Sequence, residues 1–554
     1  MFAYRTPGVY FEWLDSPLPT ISPVRTDIAG FVGIASRGPL HQPTKVESWT
    51  QFFSLFGGFI PQGFLAYAVH AFFANGGRTC YVVRVADPDK ASLGRLELKD
   101  VDCKLATSDG NCLRALGLAA ASEGSWSSQL GVQVTRTGNE TFSLTLGLPD
   151  GTQEHFRNLN LKPGDPRNAL VVLNDPAAGS RLVRAYRPVG FSGRPPADGF
   201  FRLEGGKDGL TTLRPGHLTG EGSPIDLPWG LAALEKVREV AIVAIPDIMT
   251  KNVETPSFVT RPPVCEAGPT DPFAVPAPER PPEYPLPFTD AEILQMQRAL
   301  ITHCERLMDR MAVLDPPAAG LTPAQVVNWT NNVTLGDSGC AALYYPWLRV
   351  PDALRPAGAL REVPPGGHVA GIYALVERRT GVHKPPANEL IADAQDVTFA
   401  VDDLAHGNLN DAQVNVLRAY PGRGLRVAGA RTLWRDTTTP SWRYVNVRRL
   451  FIMIERAIDQ QTQWLVFEPN DPALWREVDR LLRSFLTGLW RRGMLDGATA
   501  AEAFLVRCDA TTNPPEETAV GRLTALVGIR PPWPAEFVIA RIGRTESGTQ
   551  ISEE

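Results

Sequence analysis

The chain lacks the residue patterns that mark disulfide-rich, zinc-binding and membrane-spanning proteins. Its seven cysteines are an odd number and include no Cys-x-x-Cys pair, so we expect free thiols rather than a disulfide framework or a zinc site. The eight histidines form no His-x-x-x-His or His-Glu-x-x-His pair, so we expect no metal site. The most apolar run, Val240–Ile245, has the length of a strand and is far shorter than the roughly 20 residues that span a bilayer.

The chain also lacks a charge of one dominant sign. It has 55 basic and 60 acidic residues among 554, a net charge of −5, so we expect no nucleic-acid partner. Its first 20 residues contain prolines and acidic residues but no apolar segment, so we expect no signal peptide and a protein made in the cytoplasm. The length predicts two to four domains.

Two short motifs resemble catalytic sequences but do not fit them. Gly336–Gly339 reads Gly-Asp-Ser-Gly, as around the nucleophile of trypsin-like proteases, whose two β-barrels this chain does not predict. Gly205–Lys207 resembles part of a phosphate-binding loop, but Phe201 and Asp208 stand where a glycine and a Ser or Thr are needed. We interpret both as turns and expect no enzyme and no cofactor. An α/β enzyme of the hydrolase kind remains the alternative from another class.

Strand and helix patterns alternate along most of the chain, which predicts an α/β (α+β) multidomain fold. Short strands at Val132–Thr135 and Phe142–Leu146 indicate a β-rich insertion. The predicted parts, in chain order, are an N-terminal arm with a strand (1–26), the first part of a core (27–86), the inserted domain (87–228), an α/β domain with a proline-rich loop at 255–287 (229–440), a C-terminal core domain (441–530) and a C-terminal arm with a strand (531–554).

The clearest helix lies between Asp471, a capping residue followed by Pro472, and Gly493. Apolar residues recur at spacings of three and four on one of its faces, which predicts burial of that face. The other face carries the arginines Arg476, Arg480, Arg483, Arg491 and Arg492. Two interpretations stay open for them: a solvated surface, or contact with an acidic partner.

A strand pattern lies close to each end of the chain. The strand residues are Val9, Tyr10, Phe11 and Glu12 at one end, and Phe537, Val538, Ile539, Ala540 and Arg541 at the other. Prolines separate both strands from the rest of the sequence. Because strand backbone groups need hydrogen-bond partners, we expect both strands to pair with other subunits. This predicts a polymer-forming protein.

Short motifs in a fixed order carry a resemblance to a known family. In the first 85 residues they are Thr6–Tyr10, Phe31–Gly33, Arg37–Leu40, Phe56–Gly58 and Asn75–Val85. Further along they are Leu203–Gly209, Tyr344–Trp347, Val369–Tyr373, Lys384–Asn388, Gly429–Leu433, Tyr444–Leu450, Trp464–Asn470, Cys508–Asp509, Asn513–Pro515 and Pro534–Val538. Together they resemble the contractile tail sheath family of phage tails, tailocins and bacterial contractile injection systems. The resemblance covers about the first 85 residues and everything after roughly residue 290.

The resemblance implies a structural subunit that polymerises with itself as stacked hexameric rings around an inner tube protein, together with baseplate and terminal cap proteins. Terminal strands of one subunit would join a sheet of its neighbour, and the polymer would contract. Arg476, Arg480 and Arg483 would then contact the tube. Among the possible machines we favour an injection system, with a phage or tailocin sheath as the alternative and a static shell protein as a third hypothesis. The particle would assemble in the bacterial cytoplasm and be released by lysis or anchored through other components.

Overall fold

The structure is a computed structural model of the chain. It describes residues 20–101, 113–253, 272–273, 282–331, 335–356, 358–436, 438, 440–536, 540–545 and 548–553. By contacts between Cα atoms, the chain divides into two compact units. The main unit comprises Thr26–Thr380 and Lys384–Arg449, and the C-terminal unit comprises residues 450 onwards with 381–383 and the residues before Thr26.

The strands of the described residues are β1 (Ala29–Gly33), β2 (Thr44–Val46), β3 (Cys80–Arg84), β4 (Arg95–Lys99), β5 (Arg114–Ala120), β6 (Gly131–Arg136), β7 (Phe142–Gly147), β8 (Gln153–Leu159), β9 (Val183–Tyr186), β10 (Gly199–Arg202), β11 (Ile242–Ala244), β12 (Met311–Leu314), β13 (Ala341–Tyr345), β14 (Leu348–Pro351), β15 (Leu360–Val363), β16 (Asp396–Val397), β17 (Val414–Tyr420), β18 (Gly424–Ala428), β19 (Phe504–Arg507), β20 (Leu526–Ile529), β21 (Ala540–Thr545) and β22 (Gly548–Glu553).

The α-helices of the same residues are α1 (Trp49–Phe56), α2 (Leu65–Ala74), α3 (Ala169–Asn174), α4 (Pro215–Thr219), α5 (Gly230–Ala233), α6 (Asp290–Leu307), α7 (Pro323–Asn331), α8 (Gly366–Arg379), α9 (Asp403–Asp411), α10 (Val445–Gln461), α11 (Pro472–Arg491), α12 (Ala500–Ala503) and α13 (Pro515–Ala519). Short 3₁₀ helices occupy Ser125–Gln129, Leu234–Lys236, Pro246–Asn252, Pro440–Arg443 and Gln463–Leu465.

The main unit is organised around an eight-stranded sheet with the order β18-β17-β13-β12-β11-β1-β3-β2. The six central strands pair in parallel, and β2 and β18 are antiparallel at the two edges. The central strands β1, β11, β12 and β13 are buried along their whole length. Helices cover such sheets because both faces of a parallel sheet are apolar. The architecture confirms the prediction of an α/β multidomain fold.

Two buried aspartates hold the helices α2 and α8 at their N-termini. Asp247 accepts a hydrogen bond from the backbone N–H of Ile34 (2.7 Å) and another from that of Phe64, just before α2. Asp315 accepts one from the first residue of α8, Gly366 (2.8 Å). Burial raises the pKa of Asp247 to about 6 and that of Asp315 to about 7, although these backbone donors oppose the rise. The carboxyl groups therefore anchor both helices to the ends of strands β11 and β12.

Helices α2 and α8 approach each other closely because α8 presents glycines to α2. A Cβ atom on Gly367 would lie 2.4 Å from both Cα and the carbonyl oxygen of Ala68. A Cβ atom on Gly371 would lie 2.6 Å from the carbonyl oxygen of Phe72. Backbone atoms cannot move aside as a flexible side chain can, so the helix spacing depends on these two glycines.

We expect Gly367→Ala to lower the free energy of unfolding by about 1–3 kcal/mol, because the added methyl group overpacks the contact between α2 and α8. Gly407→Ala is the matched control, since Gly407 lies in helix α9 and a Cβ atom there meets nothing within 4 Å. The control should be neutral or stabilising by about 1 kcal/mol. Urea unfolding followed by circular dichroism measures both changes, and equal effects at the two positions would contradict the packing argument.

The inserted residues form two antiparallel sheets, β4-β5-β9 and β10-β6-β7-β8. The strands predicted at Val132–Thr135 and Phe142–Leu146 are β6 and β7, which pair directly. Leucines and valines of both sheets share one apolar core with Trp126 and Phe142. The buried residues of this core lie between strands β3 and β11 in the sequence, so none of them belongs to the eight-stranded sheet.

The C-terminal unit has its own apolar core, to which α11 contributes most. Asp471 caps the helix by accepting hydrogen bonds from the N–H groups of Ala473 (2.8 Å) and Leu474 (2.9 Å), with Pro472 in the first turn. The buried face of the helix comprises Leu474, Val478, Leu481, Leu482, Phe485, Leu486 and Leu489. These side chains pack with the end of α10 and with strands β19 and β20. The predicted cap and buried face of this helix are confirmed.

Candidate assembly surfaces

The C-terminal unit contains an antiparallel sheet of only two strands, β19 and β20. Phe504 and Val506 point into the core, whereas Leu505 and Leu526 lie on the outer face, 49% and 51% exposed. Within the residues that the structure describes, no third strand pairs with either edge. Two-stranded sheets are marginal by themselves, and unpaired edges bind further strands readily. The sheet is therefore a candidate acceptor for two strands, one at each edge.

The hydrogen-bond register shows which backbone groups face the two edges. The N–H of Arg530 donates to the carbonyl of Ala503 (2.8 Å). From this pair onwards, every second pair of opposite residues is hydrogen-bonded across the two strands. Backbone groups of Leu505 and Arg507 thus bond to β20, whereas those of Phe504 and Val506 point to the outer edge of β19. By the same alternation, the groups of Val527 and Ile529 point to the outer edge of β20, where no hydrogen bond is found among the described residues.

The outer edge of β19 is partly covered. The N–H of Phe504 donates to the carbonyl of Ala500 at the end of α12. The guanidinium of Arg483, on α11, donates to the carbonyl of Val506 and to the carboxylate of Asp479 (2.6 Å). The two edges of the sheet therefore differ: that of β20 meets no further strand in the described part of the chain, and that of β19 carries an arginine.

The predicted arginine face of α11 is exposed. Arg476, Arg480 and Arg483 lie within roughly 60° of one another around the helix axis, opposite the buried leucines. Arg480 makes a long ion pair with Glu477 (3.8 Å), and its side chain is 53% exposed. Arg483 differs from the other two, because it is engaged with Asp479 and Val506.

Most of the residues of the two predicted terminal strands lie outside the described part of the chain. Val9, Tyr10, Phe11, Glu12, Phe537, Val538 and Ile539 lie outside the described residues. Ala540 and Arg541 begin β21, which pairs with β22 of the same chain. The sequence analysis missed β22, whose Gly-Thr-Gln-Ile-Ser-Glu sequence has few β-branched residues. One edge of β21 is thus taken within the chain by β22.

Sequence analysis also missed an exposed apolar turn before α11. Phe467 is fully exposed, with a φ of 74°, and its neighbour Val466 is 57% exposed. A positive φ is unusual for an aromatic residue and marks a backbone conformation fixed by its surroundings. The turn is fixed by the hydrogen bond from Asn470 Nδ2 to the carbonyl of Arg522 (2.8 Å) and by that from Trp475 Nε1 to Asn470 Oδ1 (2.7 Å). Only the run of apolar residues at 464–467 pointed to it in sequence.

A buried ion pair in the main unit joins Arg449 to Glu377. Arg449 donates to Glu377 Oε2 (2.7 Å) and to the carbonyl of Thr26 (3.1 Å), and its guanidinium lies 4.8 Å from the ring centre of Tyr373. Thr26 donates to Glu377 through both its N–H and its hydroxyl (2.7 Å each). Burial raises the pKa of the Glu377 carboxyl, while Arg449 and the Thr26 donors act to lower it.

Neither catalytic-like motif lies in a helix or in a strand of a sheet. Ser338 is buried, and its Oγ accepts a hydrogen bond from the N–H of Cys340 (3.1 Å). Gly205 has a φ of 87°, and its carbonyl accepts a hydrogen bond from the hydroxyl of Ser92 (2.8 Å). Among the described residues, no three His, Cys, Asp or Glu side chains are grouped to hold a metal ion. No described helix is long and apolar enough to cross a membrane.

Family models identify two regions of the chain. The phage tail sheath protein central domain matches residues 285–433, and the phage tail sheath C-terminal domain matches residues 437–544. The tail sheath protein of Burkholderia phage BcepMu is 29% identical over 211 residues, which are 37% of this chain and 42% of the phage protein. Across the phage sheath proteins that it matches, the chain spans 28 to 42% of their length. These matches support the resemblance to the tail sheath family that the sequence motifs indicated.

Solved structures with the same fold match nearly the whole chain. The sheath complex of an extracellular contractile injection system, PVC, in the contracted state is 20% identical, with a TM-score of 0.53 and 99% of each chain covered. The baseplate of the anti-feeding prophage in the contracted state is 21% identical, with a TM-score of 0.57 and 97% of each chain covered. At these identities the likeness establishes the fold.

Proposed function

We propose that this protein is the structural subunit of a contractile sheath, polymerising with itself as stacked hexameric rings around an inner tube. The observation that carries the proposal is the two-stranded sheet β19–β20, whose two edges meet no third strand among the described residues. Each edge suits one extended terminal segment of another copy: residues 9–12 for one, and the segment that includes Phe537–Arg541 for the other. Subunits joined in this way stay linked while their folded cores move, which contraction requires.

The machine that we favour is a bacterial contractile injection system. The near-complete coverage of the injection-system structures supports this choice, whereas the phage sheath proteins align over less than half of their length. Its other partners would be a baseplate and a terminal cap. It would be assembled in the bacterial cytoplasm and act through stored lattice energy rather than catalysis. A phage or tailocin sheath is the second candidate, favoured by the family models and by the phage tail sheath proteins to which the chain is similar.

Electron microscopy of the purified full-length chain tests the proposal. We expect hollow, helically striated cylinders, formed alone or after addition of the tube protein encoded near it. Mild acid or denaturant should shorten and widen these cylinders, which separates a contractile sheath from a static shell. Monodisperse monomers with and without the tube protein would refute the proposal.

The arginine face of α11 is proposed to contact the inner tube. Arg476→Glu combined with Arg480→Glu should then reduce tube co-assembly by about tenfold or more, because reversed charges repel an acidic surface. Arg492→Glu is the control, because Arg492 follows the last residue of α11 and lies roughly 160° around the helix axis from Arg476. The prediction that placed Arg492 on the arginine face was therefore wrong, and its Nε donates to the carbonyl of Gly488 (3.0 Å). Co-sedimentation with tubes at low and high salt measures the effect. Normal co-assembly of the double variant would mean that this face is merely solvated.

A further inference from the structure

The two edges of the β19–β20 sheet differ in one side chain, that of Arg483. Four backbone groups of Phe504 and Val506 face the outer edge of β19. Two of them are already bonded: the N–H of Phe504 to α12, and the carbonyl of Val506 to Arg483. At the edge of β20 the corresponding groups of Val527 and Ile529 meet no partner in the described part of the chain.

Arg483 is held at this edge from its own helix. Its Nε donates to Asp479 Oδ2 (2.6 Å), one turn earlier on α11, which leaves its NH2 group directed at the strand. The arginine side chain is 48% exposed, so nothing encloses it and it can leave without disturbing the core. A side chain that bonds an edge carbonyl from outside occupies the position that an added strand needs for its own N–H.

We propose that Arg483 is a removable cap on the outer edge of β19, and that an extended terminal segment of a second copy displaces it during assembly. The proposal rests on the proposed function and adds regulation to the same site. Strands are then added to the two edges in a fixed order. The edge of β20 accepts its strand freely, whereas that of β19 accepts one only after the arginine has left the Val506 carbonyl. Subunits in solution are thereby protected against indiscriminate pairing at both edges at once.

Arg483→Met tests the cap, because methionine keeps much of the length and apolar stem of the side chain but cannot donate. We expect the variant, without tube protein, to self-assemble at a critical concentration about fivefold lower than that of the wild type, the equivalent of one hydrogen bond that no longer has to be exchanged. Asp479→Asn weakens the hydrogen bond that holds Arg483, so it should also lower the critical concentration, but by less than Arg483→Met. Arg492→Met should match the wild type, since Arg492 is exposed and directly follows the end of α11. Light scattering gives the critical concentration, and thermal unfolding shows that the variants are folded.

The outcomes separate the cap from the function on which it rests. If the wild type forms cylinders but Arg483→Met assembles at the same concentration, the cap proposal is wrong and the sheath proposal stands. Slower assembly of a folded Arg483→Met protein would also overturn it, because the arginine would then promote a contact. If the wild type itself never forms cylinders with the tube protein, both proposals fail together.

Discussion

Deletion of residues 1–19 is expected to leave a folded protein that no longer forms long polymers. The cut stops before Ile21, which is buried in the core of the C-terminal unit, and before Ser22, which exchanges hydrogen bonds with Gln461 (2.9 and 2.7 Å). It removes the predicted strand Val9–Glu12, which we propose pairs with the sheet of a neighbour. Because every subunit in a polymer depends on this link, its loss acts at every repeat, and cylinder mass should fall by more than about tenfold.

Electron microscopy and sedimentation measure the polymer, and circular dichroism checks the fold. A full-length variant with residues 7–15 replaced by Gly and Ser controls for length, and it should behave as the deletion does. Removal of residues 537–554 should have a similar effect through the other arm. Full-length contractile cylinders from either truncated protein would mean that the missing end is not a linking strand.

Substitution of Arg449 by Met is expected to cost about 3–5 kcal/mol of unfolding free energy. The change leaves the buried Glu377 carboxylate with Thr26 as its remaining partner, and it removes the hydrogen bonds to the carbonyls of Thr26 and Tyr373 (3.1 and 3.4 Å). Arg349→Met is the control: the Arg349–Glu362 pair (3.2 Å) has both side chains about two-fifths exposed, so its loss should cost less than about 1 kcal/mol.

The Arg449 variant should also show a distinctive pH dependence. Burial already raises the pKa of Glu377, and loss of the guanidinium raises it further. The folded variant then retains a proton that the unfolded chain releases above its ordinary carboxyl pKa, so its stability falls as the pH rises towards the folded pKa. Urea unfolding at pH 5 and pH 8 should therefore give a larger loss at pH 8. An equal loss at both values would contradict the assignment of a buried, desolvated carboxylate.

The sequence was sufficient for elements whose cause is local. Thr289 with Glu292 forms the capping box of α6, and Asp471 with Pro472 begins α11, because caps and periodic leucines act within a few residues of one another. The sequence of residues 229–239 favours a helix, but α5 is a single turn, Gly230–Ala233, followed by a 3₁₀ turn. A Cβ atom on Gly230 would lie 2.1 Å from the carbonyl oxygen of Leu218. This close approach is a tertiary contact, which the helix propensity of the local sequence does not reflect.

The candidate site was predictable only in part, for a similar reason. The arginine face of α11 follows from helical periodicity alone. That Arg483 reaches Val506, 23 residues away, depends on the packing of α11 against β19, which no local pattern encodes. Likewise, Thr26 lies 351 residues before Glu377, which lies 72 residues before Arg449, and only the folded chain brings the three together.

Amide hydrogen exchange at the edges of the β19–β20 sheet tests the central claim most directly, since added strands must bond the groups that face outwards. It should be compared between assembled particles and the unassembled deletion variant lacking residues 1–19. We predict that the amides of Val506, Val527 and Ile529 exchange much more slowly in the particles, while that of Leu505, already bonded within the sheet, changes far less. Equal exchange rates for the outward amides in both preparations would contradict subunit linkage by strand addition.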